Sequence, residues 1–380
     1  MDGESRGGRV AGVTYKRVSY DLVVIGLLTL ITFVPIIHTT NFRSTFLAQG
    51  YSPIVQRAVK VHLNVLVPKW DDDARSQLNC DECALDIAGG FSWQNRVLFP
   101  AIMLLVTYPL GLNDHTNPSS GFVFLGLTFL SIFFALASIA FGIGRTHPSK
   151  SFNYATLLAT LLFLIVLHAP PKLLIPADFI QVGLFVFIVD AILRNSFMRL
   201  ALLTVTLSLV RETSVFVPVL YFLMHVPKLL DIRAWSMNFP SRKFMDVTMR
   251  TILLFVLALT SVIIPRAILL GGIGYAFGVG AGADAYTAAA PGRLSSLVEW
   301  APLTWFFLFV ALGVPILLQL WKKGSRDPSV TRLLLGGSLI VLISLVFVNI
   351  RETRVFAQLI PIGLFSLAMW NREIPTPNAT

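Results

Sequence analysis

Two stretches of the chain carry the same charged signature. Arg211-Glu212-Thr213-Ser214-Val215-Phe216 and Arg351-Glu352-Thr353-Arg354-Val355-Phe356 share their first three residues and their closing Val-Phe, and each runs shortly into a proline, Pro218 or Pro361. Both lie between apolar blocks. A charge inside an apolar helix costs at least ~2.5 kcal/mol near the bilayer centre, so it calls for a partner, water or a ligand. Arginine offers a phosphate several charge-assisted donors, and a carboxylate can orient that arginine or accept a proton. The plainer alternative is that these neighbours only anchor helix ends at the headgroups.

A second set of acids lies earlier: Asp71, Asp72, Asp73, Asp81, Glu82 and Asp86. A carboxylate within hydrogen-bond reach of a hydroxyl can activate it, and a leaving phosphate needs arginine or lysine to hold its charge. Arg96, Arg211, Arg351 and Arg354 could serve the second purpose. The bland alternative for an acidic run is a solvated loop. No cofactor is required by these residues and no metal site is assigned, although the acids could hold a divalent cation.

Cys80-Asp81-Glu82-Cys83 has the spacing of a redox dithiol or of half a zinc site. No second cysteine pair exists, and His62, His115, His147, His168 and His225 are scattered, which argues against structural zinc. Outside the cytosol the expectation for Cys80 and Cys83 is a local disulfide. Asp178 opens an apolar block after Ala169-Pro170-Pro171, and Asp190 follows about three turns later, where it is expected to pair with an arginine near the cytosolic end. Gly271-Gly272-Ile273-Gly274, with Gly278, Gly280 and Gly282, has neither the preceding strand nor the Gly-Lys-Ser/Thr of a phosphate-binding loop, and reads as a flexible outer loop over a site.

These residues must be positioned by membrane helices. Of 380 residues, 55% are apolar and only 13% charged, with a mean hydropathy of +0.74. That excludes a soluble enzyme. The apolar residues fall into about ten blocks, each near the ~20 residues that cross a ~30 Å hydrocarbon core. The expected fold is therefore all-α: a polytopic membrane protein of about nine to eleven spans. In that setting the net charge of +10 reflects loops facing anionic headgroups rather than a nucleic-acid partner.

The first block, Leu22 to Ile37, follows Arg6, Arg9, Lys16 and Arg17 and lacks a small-residue cleavage site directly after it. It reads as a retained span with its amino end in the cytosol. The chain then divides into a cytosolic tail (1–21), a first transmembrane helix (22–38), a long extracytoplasmic loop (39–96), a multi-span membrane domain (97–370) and a C-terminal tail (371–380). Within the loop, Pro53 to Val67 reads as an amphipathic helix lying on the membrane surface.

Later loops follow the positive-inside bias. Lys228 to Arg250 carries five basic residues and Lys322 to Arg332 four, whereas Gly271 to Trp300 carries only Arg293. The first two are expected in the cytosol and the third outside, which puts Arg351 to Arg354 at the outer face. Counting backwards conflicts with an outside loop at 39–96 by one crossing. Either a short block near 97–112 or 155–167 dips in and returns, or Leu200 to Met224 is one continuous span with Arg211 and Glu212 at its middle.

Asn95-Arg96-Val97-Leu98-Phe99-Pro100 after a long outer loop resembles the Arg-x-Leu-x-Pro stretch that opens the second membrane segment of many bacterial multi-spanning transferases. Asp178 after a proline-containing turn, Arg211-Glu212-Thr213, and Glu352-x-Arg354-x-Phe356 before a proline are similar to the same group. Together, over about Asn95 to Pro361, they resemble the polyprenyl-phosphate-sugar-dependent integral-membrane glycosyltransferases of the GT-C class.

The resemblance implies a lipid-linked sugar donor entering from the bilayer, a site at the extracytoplasmic face, and a bacterial cytoplasmic membrane in preference to the endoplasmic reticulum. It implies donor contacts from Arg96, Asp178, Arg211, Arg351 and Arg354, with Glu212 and Glu352 orienting them, and an acid of the first outer loop, Asp72 or Asp86, as general base. Members of this class usually carry an acid soon after the first span, where this chain has His38-Thr39-Thr40-Asn41-Phe42-Arg43 and none. Two other readings accompany the glycosyltransferase: a non-catalytic subunit of a membrane complex, and a transporter with a site near the bilayer midplane.

Overall fold

A computed structural model describes residues 21–34, 97–112, 117–147, 149–168, 176–226, 242–270, 302–321, 328–347 and 356–372. Every regular element among them is helical. In chain order they are α1 (Asp21–Val34), α2 (Leu98–Thr107), α3 (Pro118–Thr146), α4 (Lys150–His168), α5 (Pro176–Leu193), α6 (Phe197–Val210), a short 3₁₀ turn (Glu212–Val215) and α7 (Phe216–His225). After them come α8 (Arg242–Leu270), α9 (Pro302–Trp321), α10 (Pro328–Phe347) and α11 (Leu359–Arg372).

Five helices among the described residues, α3, α5, α8, α9 and α10, are long and apolar enough to cross a membrane, and six shorter apolar helices accompany them. The chain is a polytopic helical membrane protein. Its surface fits a lipid solvent: large apolar side chains such as Leu105, Leu202, Phe306 and Trp321 are exposed along the helices. The order of burial follows from side-chain pattern. Helix α5 has apolar residues on every side and 83% of its span is buried, while only 17% of the α8 span is, so α5 is the central helix and α8 lines the periphery.

Close packing of α3 on α5 depends on missing side chains. A Cβ at Gly183 would meet the Phe134 ring at 2.5 Å, and one at Gly142 would overlap Val186 Cγ1. Small residues at such contacts let helix backbones approach where burial from water gives no drive between helices.

Named contacts fix the direction of several helices relative to α5, which spans ~27 Å at ~1.5 Å per residue. Asp190, near its C-terminal end, binds Arg194 and Arg199 and lies 3.9 Å from Arg145, which closes α3. Phe197 meets Tyr221, His225 meets the Ile192 carbonyl, Phe244 meets Phe222, and Arg332 donates to the Met224 carbonyl. The ends of α3 and α7 and the starts of α6, α8 and α10 therefore share this arginine-rich end. At the opposite end, Asp178 at the start of α5 meets Arg211, and Gln358 just before α11 meets Gln181. We term this the Arg211 end.

The three alternatives for the crossing conflict are thereby decided. The segment 197–225 is not one span: α6 rises ~21 Å from the arginine-rich end, the backbone breaks at Arg211, and α7 returns ~15 Å to the same end. Neither leg alone matches a full ~30 Å core. The block at 97–112 is the one that does not cross. Phe99 stacks edge-on against Phe124 of α3, and after a turn at Gly111 the Leu112 carbonyl accepts from Ser120 Oγ, so both ends of the block sit beside the first turns of α3. By contrast α4, which contains 155–167, has 19 residues and ~28 Å of length. With 97–112 removed from the count, the first charged signature opens at the Arg211 end, and α11 is entered there beside Gln358.

Candidate functional site

The site is built where α6 fails to continue. Val210 is the last α-helical residue, and Arg211 is extended, with φ −161° and ψ 146°, its N–H still closing the helix on the Leu207 carbonyl at 2.7 Å. The 3₁₀ turn that follows reverses the chain, and α7 begins at Phe216 with Pro218 in its first turn, where a missing N–H costs no helical bond. This reversal sends the Arg211 side chain inward, where it is buried.

A buried guanidinium needs a carboxylate and further acceptors. The Arg211 Nη1 donates to Asp178 Oδ1 and, at 3.1 Å, to Gln181 Oε1. Asp178 and Gln181 are one turn apart on the opening of α5, so they present one face, and the helix N-terminus favours the carboxylate. Because Arg211 can only donate, the Gln181 amide is oriented with its oxygen toward it. Its Nε2 then donates to Thr213 Oγ1 at 3.1 Å and to Gln358 Oε1 at 2.7 Å. Four segments, α5, the residue that ends α6, the 3₁₀ turn and the approach to α11, are joined by this one network.

All of Arg211, Asp178, Gln181, Thr213, Ser214 and Gln358 are buried. In the cluster, Arg211 Nε, Ser214 Oγ and Gln358 Nε2 have no hydrogen-bond partner among the described residues. The arrangement is a buried ion pair whose arginine and flanking amide each keep a donor without a partner among the described residues.

Of the residues singled out from sequence, the fold brings Arg211 and Asp178 into contact. The Glu212 backbone lies in the 3₁₀ turn beside Arg211, and its side chain lies outside the described residues. Asp72, Asp86, Arg96, Arg351, Glu352, Arg354 and the pair Cys80 and Cys83 also lie outside them. So do the amphipathic helix expected at 53–67 and the glycine-rich segment from 271. Sequence reasoning missed Gln181 and Gln358. A signal was present, since each is a glutamine within or against an otherwise apolar stretch, where an unpaired amide is costly.

At the far end of α5, Asp190 pairs with arginine, as its position in the sequence leads one to expect. Among the described residues no group of three or more His, Cys, Asp or Glu side chains gathers as a metal site would require. Comparison of the chain with protein-family models, with curated proteins and with solved structures finds no match.

Proposed function

We propose that this protein is a membrane glycosyltransferase of the GT-C type, moving a sugar from a lipid-phosphate carrier to an acceptor at the Arg211 end, which faces away from the cytosol. The observation that carries the reading is the shared address of its candidate parts. The buried Arg211 network, Glu212 beside it in the chain, and Gln358 just beyond segment 348–355 lie at one end of the bundle, opposite the end rich in arginine. Positive charge marks the cytosolic side, so the polar site takes the other.

In this reading Arg211, steadied by Asp178 and Gln181, sets the floor of the donor site. Its unengaged donors, with Arg96, Arg351 and Arg354, hold the carrier phosphate, while Glu212 and Glu352 orient these arginines. Asp72 or Asp86 takes the proton from the acceptor hydroxyl as its oxygen attacks the anomeric carbon. The bond to the phosphate oxygen breaks with inversion, and the phosphate leaves with the electron pair.

The test is transfer from lipid-linked sugars in proteoliposomes of the full chain. Replacing Glu212 or Arg354 with Ala should abolish transfer while the protein remains inserted and folded. Wild-type transfer in both variants removes the proposed site.

A second reading is a non-catalytic subunit of a membrane complex, favoured by the fact that Asp178 already neutralises Arg211. It predicts co-purification with partners at fixed stoichiometry and tolerance of an apolar replacement of the pair.

A further inference from the structure

The opposite end of α5 holds a second ionic cluster that the proposed reaction does not use. Asp190 is buried, and its carboxylate accepts from Arg194 Nε at 2.7 Å and Arg199 Nη1 at 2.9 Å, with Arg145 Nη1 at 3.9 Å. One negative charge thus faces three positive ones. The arginines come from different places: Arg145 from the last turn of α3, Arg194 from just beyond α5, and Arg199 from the first turns of α6. Arg194 and Arg199 are brought together by the tight turn between α5 and α6, in which Asn195 adopts φ 53°, a left-handed conformation that asparagine tolerates better than most residues, and Arg145 joins them through the packing of α3 on α5. Arg199 is further held over the Phe187 ring, 5.6 Å from its centroid.

We infer that Arg145, Arg194 and Arg199 form a binding site for the phosphate headgroup of an anionic phospholipid. Each guanidinium carries five N–H donors, and the bonds to Asp190 engage one of Arg194 and one of Arg199. The remaining donors point from side chains that are 57%, 53% and 36% exposed for Arg145, Arg194 and Arg199. The surplus of two positive charges more than balances the single negative charge of a phosphodiester, and the buried carboxylate fixes Arg194 and Arg199 in advance, so little of their side-chain entropy is left to lose on binding.

The ligand is a lipid because of what lies one turn deeper. Phe141 precedes Arg145 by four residues on α3, and Leu202 follows Arg199 by three on α6, so each stands on the same helix face as its arginine, toward the bilayer. Both are exposed large apolar side chains, as is Met198 beside them. A headgroup on the arginines would lay its acyl chains along these side chains. The other acids described at this end are Asp21 and Asp246, and Asp246 is bound by Arg250 at 3.1 Å. The inference does not rest on the proposed reaction.

The experiment is native mass spectrometry of the full chain released from nanodiscs of phosphatidylcholine, with or without a minority of phosphatidylglycerol. The wild type should retain phosphatidylglycerol, and retention should fall roughly tenfold in both Arg145→Gln and Arg199→Gln. Arg242→Gln removes an exposed charge at the same end and should leave retention unchanged. Arg145 touches Asp190 only at 3.9 Å, so its replacement should leave the melting temperature in phosphatidylcholine as it was. Undiminished retention in the two cluster variants, or an equal loss in Arg242→Gln, overturns the site. If inorganic phosphate in phosphatidylcholine nanodiscs stabilises the wild type but not Arg145→Gln, and phosphatidylglycerol is not retained, the arginines serve a soluble phosphate and the lipid assignment falls.

Discussion

Gly363 of α11 lies directly on the backbone carbonyl of Ala311 in α9, so close that a Cβ at 363 would overlap the carbonyl oxygen. The sequence of α9 explains why that carbonyl stands open. Pro315, four residues on, has no N–H to donate to it, and the helix widens into a π turn over Phe309–Gly313, with Val314 N–H bonding to the Phe309 carbonyl. Helix α11 packs into the widened turn. Backbone cannot yield as a flexible side chain can, so Gly363→Ala should lower stability by about 1–3 kcal/mol. A thermal melt in detergent, with Gly126→Ala as a control whose added Cβ meets nothing, measures the difference.

Separating the members of the Arg211–Asp178 pair should be costly. Arg211→Met or Asp178→Asn alone breaks a buried ion pair, for an expected loss of about 3–5 kcal/mol. The double variant Arg211→Met/Asp178→Leu removes both charges and should recover most of that loss. If the doubly apolar protein folds yet transfers no sugar, the pair serves the site; if it folds and keeps its function, the structural-subunit reading gains.

Gln181 is the junction of the network, accepting from Arg211 and donating to Thr213 and Gln358. Gln181→Leu keeps the volume but leaves three buried polar groups short of a partner, a cost of about 1–3 kcal/mol for each unsatisfied group before relaxation. Gln181→Glu restores an acceptor for Arg211 but no donor for Thr213 and Gln358. Melting temperatures should rank wild type above Gln181→Glu, and that above Gln181→Leu.

Sidedness is testable with an impermeant thiol reagent on intact membranes. Thr213 is a poor reporter because it is buried, whereas Leu110 and Met198 are exposed at the Arg211 and arginine-rich ends respectively. Cysteine at 110 and reduced Cys80 and Cys83 should label from the outside, and cysteine at 198 only after permeabilisation. Labelling of positions 110 and 198 from the same side would contradict the helix directions given above.

The sequence by itself determined that the chain is an all-helical membrane protein, because a 55% apolar, 13% charged composition leaves no other solvent for its surface. It also located the apolar blocks and marked Arg211 and Asp178, since a charge beside a span is conspicuous against apolar neighbours. Block length alone could not say whether 200–224 crosses or reverses. That depended on Arg211 finding Asp178, thirty-three residues away, which favours a broken backbone over a continuous helix with a stranded cation. Nor could it assign Gln181 and Gln358 to one network, because an amide advertises no partner until helices α5 and α11 are side by side. An arginine partner for Asp190 is expected from its place in the sequence, but not three of them. Their convergence on a single carboxylate is a property of the α3 and α5 packing, which Gly142 and Gly183 permit by leaving room for the facing side chains.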